Sequence, residues 1–300
     1  MRSTGTLLCL GSAAGFGAMA VFGKLAYDNG VTVGTLLSVR FLLAAALFWV
    51  LVLAEGSARQ IRSLGRRDIT IALGLGAFGY AAQAGCFFAA LDRIDASLLS
   101  LLLYTFPGMV AVAAIVLGRE SADARRLGAL GLASGGLVLV LASAKAGALD
   151  PVGTALALSA ALVYTTYILV SEGVAGRIRP SLLSALVCTG AAVSLTVGSA
   201  ALGDLHPGAV TVAGWGWLTS IAVVSTVAAV SLFFAGLKRV GPTTASILST
   251  VEPVVTVVLA FLVFGELLGM LQLVGGAFVI AAVLILASYR PRDAIARATA

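Results

Sequence analysis

Charge is scarce in this sequence. Only 11% of its 300 residues are Asp, Glu, Lys or Arg, against about a quarter in soluble domains, so a water-facing surface of ordinary polarity is excluded. Histidine is nearly absent, with His206 standing alone. No aspartate lies deep in an apolar run either, which removes the usual equipment of an intramembrane hydrolase. Cys9, Cys86 and Cys188 sit in separate apolar runs with no CxxC pair, so neither a disulfide framework nor a metal site nor a cofactor is expected. Strict alternation of polar and apolar residues is missing from those runs, which excludes a membrane barrel and leaves helices.

What remains is hydrophobic, at 60% of the chain. A span needs about 20 apolar residues, and charge clusters cut the sequence at intervals of that size. The expected fold is an all-α polytopic membrane protein of ten transmembrane helices at residues 5–27, 32–54, 69–91, 95–117, 123–143, 151–170, 181–202, 212–236, 241–264 and 269–288. Residues 1–20 have the outline of a signal peptide, but cleavage would delete a helix whose counterpart in the second half is intact, so they are read as part of span one.

Ten spans put both termini on one side. That side carries Arg2, Arg59, Arg62, Arg66, Arg67, Arg119, Arg125, Arg126, Arg177, Arg179, Lys238, Arg239, Arg290, Arg292 and Arg297, against Arg93 and Lys145 opposite. Basic loops stay in the cytoplasm, so both termini are expected there, in a bacterial-type inner membrane. The net charge of +6 then belongs to loops beside a lipid bilayer and implies no nucleic acid.

The sequence repeats itself at an offset of 146. Residues 87–93 (FFAALDR) match 233–239 (FFAGLKR) at five of seven positions, and Ser100, Pro107, Glu120 and Leu127 match Ser246, Pro253, Glu266 and Leu273. Residues 36–38 match 182–184 in the same way. Each copy, 1–146 and 147–300, holds five spans, an odd number, so the second must cross the membrane upside down. Such inverted repeats, with proline-interrupted segments at matching places, point to a secondary transporter whose site lies between the halves. The two segments here are residues 101–107 (LLLYTFP) and 241–253 (GPTTASILSTVEP). Gly74, Gly76 and Gly79 spell GxGxxG, yet no strand precedes them, so close helix packing is expected and dinucleotide binding is not. Gly11 with Gly15 and Gly131 with Gly135 are read as packing pairs too. Spans five and ten carry almost no polar side chain and are expected to be scaffold or the surface of a homodimer.

Polar residues inside the spans are the candidate site. Glu252 and Pro253 stand in an apolar run, and a charge at the bilayer centre costs about 2.5–3.5 kcal/mol on insertion scales. Glu252, Arg40 and Lys24 are the charge or coupling candidates. A pairing of Glu252 with Arg40 or Lys24 is expected as readily as proton coupling, and Lys24 is close enough to a span end to snorkel. Substrate contacts are expected from Met19, Tyr80, Gln83, Ser100, Tyr104, Tyr164, Tyr167, Ser246, Ser249 and Thr250, which form stripes at helical spacing. A bond to the helix's own carbonyl is the alternative for each serine and threonine. Pro107 and Pro253 are the candidate hinges.

These residues resemble the drug/metabolite transporter superfamily, in its EamA-type branch of ten-helix carriers. The likeness rests on Phe16 and Gly17 followed by Lys24, on Arg40, on the Pro107 segment, on residues 161–164, and on Glu252-Pro253 with Gly265-Glu266. It departs at Phe16, where tryptophan is usual, and at Phe106, which stands in a glutamate position. The resemblance implies a central cavity ringed by spans one, three, four, six, eight and nine, and export of amino acids or related metabolites. The tyrosines are similar to a lining for aromatic or large neutral amino acids, as in the YddG-type exporters of that superfamily. A channel-like pore and an intramembrane enzyme are the alternatives.

Overall fold

The computed structural model describes residues 2–118, 124–142 and 150–287, which among them form helices and turns with no strand. The helices are α1 (Arg2–Tyr27), α2 (Val33–Ala54), α3 (Arg66–Leu91), α4 (Ala96–Val116), α5 (Ala124–Ala142), α6 (Pro151–Ala175), α7 (Pro180–Ala201), α8 (Val212–Val240), α9 (Pro242–Ser249 continued by Val251–Phe264) and α10 (Met270–Ala287). Nine of these are long and apolar enough to cross a membrane, while the apolar stretch of α5, Leu127–Val140, is shorter. The helix starts follow local chemistry. Thr32, Asp150 and Thr211 accept from the backbone N–H groups of Thr35, Gly153 and Gly214, and prolines open α6, α7 and α9, where a missing N–H costs nothing. Gly241 turns α8 into α9 at φ 82°, a backbone angle that only glycine adopts freely.

Irregularities inside the helices come in pairs. The break in α4 falls between Leu103 and Phe106 and that in α9 at Thr250, which is Tyr104 displaced by 146. A π-helical segment interrupts α3 at Leu75–Tyr80, and a second interrupts α8 at Val223–Ala228. Each feature sits at nearly the same place in its half.

Packing follows an exchange of partners. α2 lies against α7 and α5 against α10, while α1 packs on α8 and α9 just as α6 packs on α3 and α4. The buried core runs between them through Phe41, Phe48, Phe88, Leu99, Leu182 and Ile221. At the α3–α7 crossing, a Cβ on Gly76 would meet the Val187 carbonyl and one on Gly190 the Leu73 carbonyl. Gly79 lies under Tyr167, so two glycines of the GxGxxG run serve packing, whereas Gly74 has open space. Gly11 and Gly15 pack on α8, but Gly131 and Gly135 face nothing within 4 Å among the described residues. The α5–α10 crossing is made by Gly136 and Gly275 instead, because one residue turns a helix face by about 100°. Glu120, Lys145 and the side chain of Ser246 lie outside the described residues.

Candidate functional site

Chemistry gathers at the α9 break. Pro253 has no N–H for the carbonyl of Ser249, and the half-buried Glu252 precedes it. Tyr104, at the matching break of α4, places its hydroxyl 2.8 Å from the Ser249 carbonyl oxygen and 3.0 Å from Glu252 Oε2. One phenol from the first repeat therefore faces both groups that the second repeat leaves in need of a donor.

Rings continue from there across the bundle. Phe106 lies 5.8 Å from Tyr104, Tyr164 4.6 Å from Phe106, Tyr167 6.2 Å from Tyr164, Tyr80 5.9 Å from Tyr167, and Phe41 5.0 Å from Tyr80, centroid to centroid. Stacked, tilted and edge-on pairs at such distances each add about 0.5–1.5 kcal/mol beyond burial. Phe106, read from the sequence as a lost glutamate, is the ring that joins Tyr104 to Tyr164. A groove of about 560 Å³ between α3 and α6, walled by Leu75, Phe78, Leu162 and Val163, opens onto Tyr167.

Arg40 closes the far end of the row. The residue is 2% exposed. Nε donates to Thr226 Oγ1 at 3.0 Å and Nη2 to the Tyr80 hydroxyl at 3.3 Å. Thr226 comes from the π segment of α8 and Tyr80 ends the π segment of α3, so one arginine is held by the paired irregularities of both halves. Its carbon lies 4.9 Å from the Phe41 ring, 5.3 Å from Phe88 and 6.0 Å from Tyr80. Each such cation–π contact is worth about 0.5–2 kcal/mol, enough together to offset an intramembrane cost of about 3 kcal/mol.

Glu252 pairs with neither cation, contrary to the pairing expected from charge balance. Arg40 makes no ion pair among the described residues, and Lys24 is taken at the end of the bundle. There its Nζ lies 2.8 Å from Glu266 Oε1 and 3.5 Å from Asp95 Oδ1. Twelve helical residues, about 18 Å of rise, separate Glu252 from the end of α9, which is beyond the reach of a lysine at α1's last turn. Glu266 also accepts from the backbone N–H groups of Ala96 and Ser97 at 3.2 and 3.0 Å and from Ser97 Oγ at 2.8 Å. It thereby ties α1, the start of α4 and the α9–α10 turn together. Burial alone would raise its pKa, but the bonds from Lys24 and Ser97 outweigh this and hold it below the ordinary carboxylate value.

The other candidates divide. Gln83, 9% exposed and three residues beyond Tyr80, has no hydrogen-bond partner among the described residues. Ser100 is buried on α4 and Met19 half-buried against the core. Ser249 and Thr250 donate to the carbonyls of Ala245 and Ile247 in their own helix, at 3.0 and 2.7 Å, which occupies their hydroxyl hydrogens. Pro107 and Pro253 lie in the first turn of the helical segments that follow the two breaks. Sequence reasoning missed Thr226, since nothing in residues 223–228 announces a π turn, and it passed over Phe106 by asking only what that position lacked.

A bundle of apolar helices with paired internal breaks and buried charge between its halves defines a polytopic membrane transport protein. The EamA-like transporter family matches residues 3–142 and again 151–288, and the chain belongs to that family. It is 28% identical over 281 residues to an uncharacterized transporter, YcbK, of Bacillus subtilis (strain 168), covering 91% of this chain and 89% of the relative. An uncharacterized transporter of Archaeoglobus fulgidus is 31% identical over 225 residues, covering 75% and 78%. A solved crystal structure superposes with a TM-score of 0.64 at 16% identity, covering 95% of this chain and 98% of the other, and that likeness speaks for the fold alone.

Proposed function

We propose that this protein is a secondary carrier that exports amino acids with aromatic or large neutral side chains across the inner membrane by alternating access. The observation that carries the reading is the row of rings from Tyr104 to Tyr80 with a carboxylate at one end and an unpaired guanidinium at the other. A zwitterion with an apolar side chain complements such a site: its carboxylate suits Arg40 and the free amide of Gln83, its ammonium suits Glu252, and its side chain suits the rings. The halves 1–146 and 147–300 rock about this site, with Pro107 and Pro253 as hinges and the Lys24–Glu266 bond as an outer latch. The excess of Lys and Arg in the loops on the side of the termini supports a cytoplasmic location for both, and the apolar faces of α5 and α10 are the candidate surface for a homodimer.

The test uses purified protein with L-phenylalanine and L-phenylalaninamide. A ligand that binds only the native form raises its apparent melting temperature, and the amino acid is expected to do so at about tenfold lower concentration than the amide. Tyr164→Ala abolishes the shift for both while the unliganded protein stays folded. Preloaded proteoliposomes then show trans-accelerated uptake of labelled phenylalanine. Absence of both stabilisation and counterflow for every amino acid tried removes the amino acid reading, and passive equilibration without counterflow leaves a pore.

A further inference from the structure

One hydrogen faces two acceptors at the α9 break. The Tyr104 hydroxyl lies within hydrogen-bonding distance of the Ser249 carbonyl and of Glu252 Oε2, but it has a single proton to donate. If Glu252 is ionised, the carboxylate takes that proton, because charge-assisted bonds are roughly twice as strong as neutral ones. The Ser249 carbonyl, already denied a partner by Pro253, is then left without a bond. If Glu252 is protonated, its own O–H donates to the Tyr104 oxygen and the phenol hydrogen goes to Ser249. Both contacts are complete in that state alone.

We propose that Glu252, Tyr104 and the Ser249 carbonyl form a proton-binding site in which the proton on Glu252 determines, through Tyr104, whether the α9 break is bonded to the α4 break. The ligand is a proton taken from water onto a carboxylate oxygen, and Tyr104 is a positioning residue that passes the change to the backbone. Tyr104 from α4 is the titratable group in contact with Glu252, and Tyr164 from α6 and Tyr80 from α3 lie farther off within electrostatic range. α1 presents the backbone of Gly17 there, while Lys24 is held at the bundle end by Glu266. Phe106 occupies the position equivalent to Glu252, so the first half has no such site and one proton, not two, acts per cycle. Coupling of this proton to a substrate rests on the transporter reading above, whereas the proton site itself does not.

The experiment therefore uses the ligand-free protein. Hydrogen–deuterium exchange of α9 is followed by mass spectrometry from mildly acidic to mildly alkaline buffer, corrected for the intrinsic pH dependence of exchange, together with the infrared band of protonated carboxyl groups. In the wild type, exchange around the break is expected to rise about tenfold in step with loss of the carboxyl band. Glu252→Gln, whose amide N–H donates to Tyr104 as the acid does, gives slow exchange with no pH step and lacks the band. Tyr104→Phe keeps the band but exchanges fast at every pH. A wild type with no step, or a step that survives in Tyr104→Phe, overturns the proposal. Should Tyr104→Phe fail to fold, Glu252→Gln decides, and a persisting step there overturns it equally.

Discussion

The bond between Lys24 and Glu266 can be weighed by a double-mutant cycle. Glu266→Gln keeps the size of the side chain and its acceptor for the Ser97 N–H, but it loses the charge that faces Lys24 at 2.8 Å. The side chain of Glu266 is 7% exposed and that of Lys24 22%, so water replaces little of what is lost. A hydrogen bond between charged groups contributes about 1.5–3 kcal/mol, which puts each of Glu266→Gln and Lys24→Met about 2 kcal/mol below the wild type. Asp95, 3.5 Å away but 69% exposed, compensates only weakly. At about 2–4 °C per kcal/mol, each single variant melts roughly 4–8 °C lower. The double variant is expected at nearly the same temperature as either single, since the bond can be lost only once. Differential scanning fluorimetry of the four proteins in one detergent reads this directly. A double variant whose shift equals the sum of the singles refutes the coupling. The pH arm has a fixed sign. Because Glu266 is held below its unfolded value of 4.5, its stabilisation is complete above that pH and is lost as pH falls through the folded value. The melting temperature of the wild type drops there, and that component of the drop is missing in Glu266→Gln.

Gly76→Ala drives a methyl group into the Val187 carbonyl at the α3–α7 crossing and is expected to cost about 3 kcal/mol. Gly74→Ala, with open space around it, leaves the melting temperature unchanged or slightly higher, so gel filtration and melting of the pair separate crowding from helix propensity. Phe106→Leu keeps an apolar side chain but removes the ring joining Tyr104 to Tyr164. It is expected to weaken phenylalanine binding about tenfold and, with two ring pairs lost, to lower stability by about 1–3 kcal/mol. Equal weakening of an aliphatic substrate such as leucine would argue against ring stacking.

Much of the architecture was legible because bilayer physics leaves few choices. Apolar runs of span length must be helices, and the 146-residue offset located both breaks: Pro107 and Pro253 each come three residues after Tyr104 and Thr250. The partners of the charges were not legible. Depth decides them, and depth depends on tilt and register that composition does not encode. Glu252 looked short of a cation, but a phenol on the opposite repeat was the group at hand. For the hydroxyls two readings stood side by side, and Ser249 and Thr250, which share the polar stripe, turn back to their own helix, the local alternative that any serine or threonine in an apolar helix has. The Gly131–Gly135 pair failed for a geometric reason, since spacing names a face without saying which neighbour it meets.

The two π segments carry a consequence for how insertions and deletions act on this chain. A π turn holds one residue more than the α-helix around it needs, so each of α3 and α8 contains a phase slip. Deleting one residue from Leu75–Tyr80 would return that stretch to regular helix with its hydropathy intact. Gln83 and Phe87 downstream would keep their present faces, because the wide turn already absorbs the extra residue. Deleting one residue from the regular helix before the π segment would instead turn everything beyond it by about 100°; helix length and apolar content would pass that change unnoticed, but the clasp on Arg40 would not survive it.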